Sequence, residues 1–168
     1  VMDLPFTATT EARYQNCYEF LAVVLGLLLA MSIGIRNTAG VLWGDSESSL
    51  AWATKDRVAS IIARRANIAF TLAAVRADIT VDSTVHVPGK QNVVWDGLTR
   101  KKTPAEVGLP PNLGIYFDSN HPISEIIALC DPLAPLESST QHAYLSQQII
   151  VLIDAFISLP IIYPSQIE

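Results

Sequence analysis

The sequence predicts an α/β fold, and three features of its apolar pattern indicate that class. A long apolar run at residues 20–35 has the character of a helix, and residues 56–78 carry apolar side chains at helical spacing. Two short β-rich segments, residues 40–45 and 79–87, are bounded by glycine or proline. A third helical segment follows the second of these. Helices and strands in alternation are typical of an α/β protein.

The first part of the chain divides into an extended segment, a helix, a strand and a short helix. Residues 7–15 read as the end of an extended segment. Asn16 is predicted to begin the first helix, with Glu19 completing a capping box, and the helix continues to about Ser32. Residues 40–45, "GVLWGD", predict a buried strand. The segment "SESSLAWA" predicts a short helix.

The next part adds a helix, a strand and a final helical element. Residues 56–78 predict an amphipathic helix with arginines interleaved along its apolar stripe. The segment "ITVDSTVHV" predicts a strand that ends at the Pro88–Gly89 turn. The segment "VVWDGLTR" is consistent with either a strand-to-helix transition or a helix.

The composition changes sharply after Lys102. Residues 1–103 contain all 11 Lys and Arg residues against 9 acids, a net charge of +2, whereas residues 104–168 contain 7 acids and no Lys or Arg. Eight of the ten prolines lie from Pro104 onward. We therefore predict a domain at 1–103, followed at 104–168 by an acidic, proline-rich linker and helical extension, with helices at 122–130 and 139–158. Only the first part could favour a polyanion.

Compartment and membrane association follow from the apolar runs and the cysteines. The first uncharged run has 16 residues, short of the roughly 20 that cross a bilayer, so a buried core helix is favoured and a membrane-associated protein stays an alternative. No basic segment precedes this run, so a signal peptide is not predicted. Cys17 and Cys130 form no ligand or disulfide pattern. Two reduced, buried thiols predict an intracellular protein, cytoplasmic or nuclear.

Four residues are candidates for chemistry: Glu19, Asp45, His86 and Asp96. A strand that ends in a carboxylate, beside a helix that presents another, is the arrangement from which acidic metal sites are built. Carboxylates are hard ligands suited to Mg²⁺ or Mn²⁺. Two such ions about 4 Å apart can activate water and stabilise the leaving oxygen of a phosphodiester. A nearby histidine could move protons near neutral pH.

Each candidate also has a structural interpretation. Glu19 could complete the capping box with Asn16, and Asp45 could cap the helix that follows it. Asp96 with its following glycine could form an ordinary turn or cap, and His86 could be a half-exposed strand histidine. Residue type alone does not choose between these interpretations and a metal site.

The motif context points to one family. The segment "HVPGKQNVVWDGLTR" at residues 86–100 resembles the end of the ribonuclease H domain of retroelement reverse transcriptases. In that family a His-hydrophobic-Pro-Gly turn and an Asn precede an Asp that opens a helix ending in Leu-Ser/Thr-Arg. The 10-residue interval from His86 to Asp96 is also the family's interval. The segment "GDSESSLAW" is similar to the end of the family's strand that carries its third metal-binding acid. The segment "YQNCYEFLAVV" is similar to the family's helix, whose Glu-x-Leu-Ala sequence carries its second metal-binding acid.

The resemblance implies a ribonuclease H-like mixed sheet with flanking helices, and it implies roles for individual residues. Glu19, Asp45 and Asp96 would be ligands of Mg²⁺ or Mn²⁺, with two ions only in a complete site, and His86 would assist proton transfer or product release. The family cuts the RNA strand of RNA–DNA hybrids, so the implied partners are the hybrid and the polymerase part of the same polyprotein, with no membrane. Substrate contacts are implied for Ser46, Asn92 and Arg100. Basic residues that could touch phosphates, or only solvate helix faces, are Arg57, Arg64, Arg65, Lys90, Arg100, Lys101 and Lys102.

The resemblance is incomplete at the N-terminal side. The family's first metal aspartate lies on an opening strand several tens of residues before the helical Glu, whereas only 18 residues precede Glu19. Asp3 is the sole acid before Glu11, and its context differs from the family's. We therefore expect the first strands to be missing and the isolated chain to be nearly inactive, as a fragment or a decayed copy. A non-enzymatic interaction module that keeps the fold is the alternative.

Overall fold

The computed structural model describes residues 12–54, 63–100, 102–110, 122–130 and 139–158. Strands and helices alternate before a group of helices, so the protein is mixed α/β, as predicted. The elements in chain order are α1 Ala12–Ser32, β1 Thr38–Gly44, α2 Glu47–Thr54, α3 Arg64–Ala77, β2 Ile79–His86, α4 Val93–Thr99, a 3₁₀ turn at Ala105–Val107, α5 Pro122–Leu129 and α6 Ser139–Ser158.

The sheet in the described part of the chain consists of β1 and β2, which lie side by side and parallel. Parallel neighbours need a crossover connection, and α2 and α3 lie within it. The pairing runs from Thr38 with Ile79 to Gly44 with His86, and Asp82 is the extra residue of a bulge in β2. The carboxyl ends of both strands therefore lie at the same end of the sheet.

A Schellman-type C-cap stops α1 and turns the chain toward β1. Gly34 has φ +89°, a left-handed conformation that glycine adopts without a steric penalty. The Ile35 N–H donates to the Ala30 carbonyl at 3.0 Å, and the Gly34 N–H donates to the Met31 carbonyl at 3.1 Å. The Arg36 guanidinium also donates to the Met31 carbonyl, at 2.6 Å. These bonds satisfy carbonyls that the last helical turn leaves without partners.

The hydrophobic core is built around α1. The ring of Phe20 is fully buried and lies 5.6 Å, centroid to centroid, from both Trp52 of α2 and Phe70 of α3. The buried positions of α3 are mostly alanine, and small side chains let two helices approach closely. The buried side chains that α1 and α3 give to this core are Phe20, Leu21, Val24, Leu28, Met31, Ala66, Ala69, Phe70, Ala73 and Ala77.

Within the described residues, α1 is also the helix that is long and apolar enough to cross a membrane by length and composition. Such a helix near the N-terminus is weak evidence for a span, because core helices pass the same test. Here Phe20, Val24, Leu28 and Met31 each have an exposed fraction of 0%. Their spacing of three or four residues puts them on one helix face, which packs on the core. One face of α1 therefore packs on the core, and 33% of its apolar window is buried.

The two C-terminal helices join the same core. Ile126 of α5 and Ile149 and Ile153 of α6 are buried in the cluster formed by α1 and α3. An ion pair on the surface also links α6 to α3, with Arg76 Nε 2.9 Å from Asp154 Oδ1. The helices predicted at 122–130 and 139–158 are confirmed to within one residue. The domain boundary at residue 103 stays a prediction, although the two sides share one core.

Two details of the secondary-structure prediction differ from the structure. The first helix begins at Ala12 and not at Asn16, so Asn16 lies within the helix and does not cap it. The strand predicted as buried is mostly exposed among the described residues, with Val41 51% and Trp43 66% exposed. The segment "VVWDGLTR" is helical at Val93–Thr99, which confirms one of its two predicted alternatives. Residues 7–11 and 56–62 of the predicted elements lie outside the described residues.

Candidate functional site

Two of the four candidate residues meet where β1 and β2 end. Asp45 directly follows β1, and His86 is the last residue of β2. The imidazole Nε2 of His86 lies 3.2 Å from the backbone carbonyl oxygen of Asp45. A carbonyl oxygen only accepts, so this hydrogen bond requires the proton on Nε2. The parallel register creates the contact, since Gly44 pairs with His86 and brings the next residue of β1 beside the ring.

A second acid lies on the other side of the same imidazole. Glu47 Oε1 is 3.9 Å from His86 Nδ1, and the two side chains are 83% and 42% exposed. Protonation of Nδ1 would make the ring a cation and turn this contact into a solvent-screened ion pair. Sequence reasoning missed Glu47. The signal for it was its place in the first turn of the helix that begins where β1 ends.

Serine hydroxyls join the beginning of α2 to α1. Ser46 Oγ accepts a hydrogen bond from the Ser49 N–H at 3.3 Å, the geometry of a helix N-cap. The buried Ser49 hydroxyl lies 3.0 Å from Ser46 Oγ and donates to the Asn16 carbonyl at 3.2 Å. Ser46, and not Asp45, therefore caps α2. The predicted substrate contact of Ser46 stays a prediction, and its hydroxyl is engaged within the protein.

Glu19 projects from α1, which the serine contacts join to the end of β1. Its Oε1 accepts a hydrogen bond from Gln15 Nε2 at 3.3 Å, one helical turn earlier. Because Asn16 lies inside α1, the prediction that Asn16 and Glu19 form a capping box is wrong. Glu19 is half-buried. It thus carries a carboxylate on α1, and the hydrogen bond of that carboxylate is with its own helix.

Asp96 lies inside α4, beyond the turn that follows β2. Arg100 Nε donates to its Oδ2 at 2.8 Å, an i,i+4 ion pair whose side chains are 72% and 49% exposed. The hydrogen bond and the charge of Asp96 raise the pKa of Arg100 above its usual value. Asn92, at the N-cap position of α4, makes no side-chain capping bond. The Asp96 carboxylate is thus engaged with a guanidinium that the resemblance assigned to substrate.

The candidate acids do not form a metal centre in this structure. Among the residues that the structure describes, no group of three or more His, Cys, Asp and Glu side chains could hold a metal ion. All of the predicted ligands, Glu19, Asp45 and Asp96, lie within that part of the chain. The residues as placed here do not fit a two-ion site, so we derive no chemical step through a metal. Their role as ligands stays a prediction for a complete domain.

The basic residues proposed for phosphate contact are partly placed. Arg64, Lys90, Arg100 and Lys102 are exposed, whereas Arg65 is half-buried on α3. Arg57 and Lys101 lie outside the described residues. Lys90 and Arg100 flank α4, after the end of β2 that carries His86. A groove between α5 and α6 contains none of the candidate residues; its lining is Glu125, Ala128, Leu129, Gln147, Gln148, Val151 and Leu152.

Both cysteines of the chain are buried thiols. Cys17 and Cys130 are free and buried, as the sequence predicted. Burial raises the pKa of Cys17 to about 11 and that of Cys130 to about 12, so both stay thiols at neutral pH. Neither is suited to be a nucleophile.

No protein-family model, no curated protein and no solved structure matches this chain. The proposed function therefore rests on the fold class and on the geometry at the ends of the two strands.

Proposed function

We propose that the chain is a ribonuclease H-like domain of a retroelement polyprotein that does not cleave RNA–DNA hybrids by itself. The observation that carries the proposal is the contact between His86 Nε2 and the Asp45 carbonyl, which joins residues 41 positions apart. Asp45 and His86 belong to two of the three family-like motifs, so this contact joins those two motifs. Ligand and catalytic sites of parallel α/β sheets lie at the carboxyl ends of strands.

The position of the third motif supports the same interpretation. Glu19 lies on α1, and the Asn16 carbonyl, one turn earlier, accepts the hydrogen bond from Ser49 near the end of β1. The helix that carries the family-like Glu is thereby joined to the strand end that carries Asp45. The three motif segments lie on α1, at the end of β1 with α2, and from the end of β2 through α4, in the order that the resemblance implies.

Inactivity of the isolated chain follows from the positions of the acids. No metal-binding group forms among the described residues, and the Asp96 carboxylate is engaged by Arg100. Hydrolysis by two metal ions needs carboxylates held around both ions, so the loss of the arrangement removes the activated water. In this proposal the complete domain would use Mg²⁺ or Mn²⁺ and act inside the cell.

The proposed substrate is an RNA–DNA hybrid recognised by shape. The exposed cations that follow β2 are Lys90, Lys102 and Arg100, of which Arg100 is paired with Asp96 in this structure. So few cations give only a modest electrostatic attraction, consistent with positioning on the sugar-phosphate backbone and not with base readout. The polymerase part of the same polyprotein is the proposed covalent partner.

The test compares two forms of the protein in one assay. The purified chain, given an end-labelled RNA–DNA hybrid and Mg²⁺, should leave the RNA strand intact. A longer form, extended at its N-terminus by the genomic sequence encoded upstream, should cleave it. That upstream sequence should encode an in-frame strand with an aspartate, preceded by polymerase motifs.

Two variants of the longer form separate site from fold. Asp45→Asn should abolish cleavage, whereas Asp82→Asn, at an exposed aspartate in the bulge of β2, should not. Efficient Mg²⁺-dependent cleavage by the isolated chain would contradict the proposed inactivity. Cleavage by the longer form that is unchanged by Asp45→Asn would contradict the assignment of the site.

A non-enzymatic interaction module is the second candidate, and the exposed apolar side chains of β1 favour it. Val41 and Trp43 are 51% and 66% exposed in a neutral strand. Such a module would bind a hybrid or a protein equally well with Mg²⁺ or with a chelator. Fluorescence anisotropy of a labelled hybrid under both conditions distinguishes this candidate from a domain whose binding requires the ion.

A further inference from the structure

One threonine lies where the composition of the chain changes, in a sequence that suits a protein kinase. Residues 100–104 read "RKKTP", so Thr103 follows three basic residues and precedes a proline. Among the serines and threonines of the chain, Thr103 is the one that proline follows. Proline-directed serine/threonine kinases require a proline directly after the residue that they modify. The sequence thus singles out Thr103 as an acceptor for this class of enzyme.

The backbone around Thr103 is exposed and is suited to a kinase active site. Thr103 is exposed, as are Lys102 before it and Ala105 after it. Thr103 lies between α4 and the 3₁₀ turn and belongs to neither. The proline that follows disfavours a helical backbone at Thr103 and favours an extended one. Protein kinases bind their substrates as extended segments, so Thr103 fits such a site in the folded chain.

The Thr103 side chain also holds the 3₁₀ turn together through Glu106. The Thr103 hydroxyl and the Thr103 backbone N–H both donate to Glu106 Oε2, at 2.8 and 2.7 Å. The Glu106 N–H donates in return to Thr103 Oγ1, at 3.4 Å. These are the reciprocal bonds of a capping box. The hydrogen bonds from the backbone and the hydroxyl of Thr103 hold the pKa of Glu106 below its usual value, so its carboxylate is charged at neutral pH.

We propose that Thr103 is a phosphorylation site, modified by a proline-directed serine/threonine kinase with ATP, and that its phosphorylation opens the 3₁₀ turn. A bond forms between Oγ1 and the γ-phosphorus of ATP, while the bond from that phosphorus to the β–γ bridging oxygen breaks. ADP leaves with that electron pair, and the hydroxyl proton passes to a base of the kinase. The proposal is independent of any nuclease activity.

Phosphorylation would reverse the interaction between Thr103 and Glu106. The phosphate carries a charge of about −1.5 to −2 at pH 7, and its dianion has no proton to donate. Glu106 would then lose the hydrogen bond from the hydroxyl and face a second anion. Like charges brought together in this way disrupt local structure. The reciprocal bonds should therefore break.

The 3₁₀ turn transmits this change to α4. A Cβ built on Gly97 would overlap the Val107 side chain, so Val107 of the turn packs directly on the backbone of α4. The Lys102 N–H also donates to the Gly97 carbonyl, at 3.0 Å. When the turn opens, Val107 should leave Gly97 and the packing on this side of α4 should loosen.

Phosphorylation of the folded, full-length chain tests the site. The purified chain is incubated with ATP and a purified mitogen-activated protein kinase, and mass spectrometry locates the phosphate. Thr103 should be the main site, and Pro104→Ala should lower its initial rate at least about tenfold. Pro110→Ala is the matched control, since this exposed proline follows a leucine, and it should leave the rate unchanged. A folded chain that takes up no phosphate at Thr103, or equal rates for the two proline variants, would overturn the site.

Nuclear magnetic resonance tests the opening of the turn. In the unmodified chain the Val107 methyl protons should show contacts to the α-protons of Gly97, and phosphorylation should abolish them. Thr103→Val, treated with the same kinase and ATP, should keep these contacts because it has no hydroxyl to modify. If the contacts persist in a fully phosphorylated chain, or are lost equally in Thr103→Val, the proposed opening is wrong.

Discussion

Replacing Phe20 with alanine should destabilise the protein by about 4 kcal/mol, because the ring lies at the centre of the core. Truncation of a buried Phe to Ala typically costs about 3–5 kcal/mol through lost burial and the cavity that remains. Phe20 is 0% exposed and contacts Trp52 edge-on and Phe70 at a tilt, both at 5.6 Å. Each aromatic pair adds about 0.5–1.5 kcal/mol to the stability, so the expected loss lies in the upper half of the range of about 3–5 kcal/mol.

Urea denaturation followed by circular dichroism measures this change. With a slope near 2 kcal/mol per molar urea, the midpoint should fall by about 2 M. Phe20→Leu keeps most of the volume and should cost less than about 1.5 kcal/mol. Val75→Ala, at an exposed position of α3, should cost less than about 0.5 kcal/mol. A loss below about 1 kcal/mol for Phe20→Ala would refute the packing of α1 and revive the membrane alternative.

Three further predictions concern other parts of the fold. A Cβ on Gly97 would overlap the side chain of Val107, so Gly97→Ala should lower the free energy of unfolding by about 1 kcal/mol, measured by urea denaturation. Asp154→Asn removes the exposed ion pair with Arg76 and should cost about 0.2–1 kcal/mol, less at high salt in a thermal melt. Because burial raises the pKa of the two thiols to about 11 and about 12, neither should react with a thiol reagent at pH 8 until urea unfolds the chain; fast reaction of the folded protein would contradict their burial.

Much of the element order could be predicted from the sequence, because apolar period and glycine or proline positions act locally. The strand at 79–87, the C-terminal helices and the long apolar helix all follow from such patterns. The beginning of α1 could not be predicted this way. The pair Asn16 and Glu19 satisfies the spacing of a capping box, but helix propensity carries the helix back to Ala12. A capping pattern within a longer helical segment does not fix where the helix begins.

The candidate site was harder to predict from the sequence, because it depends on contacts between residues that are far apart in the chain. The sequence predicted carboxylates at the end of β1 and on the preceding helix, and it predicted a histidine at the end of β2. It did not predict that Arg100 engages Asp96 or that Glu47 lies beside His86. The first contact is an i,i+4 pair on one helix face, whereas the second depends on the strand register that brings His86 beside the beginning of α2. Whether the three acids gather is a property of the whole sheet, which local patterns do not determine.

The parallel register of β1 and β2 determines the geometry of the candidate site, because it brings Asp45 to His86. Nuclear magnetic resonance tests it through contacts between backbone protons of the paired residues Leu42 with Thr84 and Trp43 with Val85. We expect those cross-strand contacts, together with slow exchange of the Val87 amide proton, whose nitrogen lies 2.8 Å from the Gly44 carbonyl oxygen. An antiparallel pattern of contacts, or none between residues 42–44 and 84–86, would contradict the parallel register.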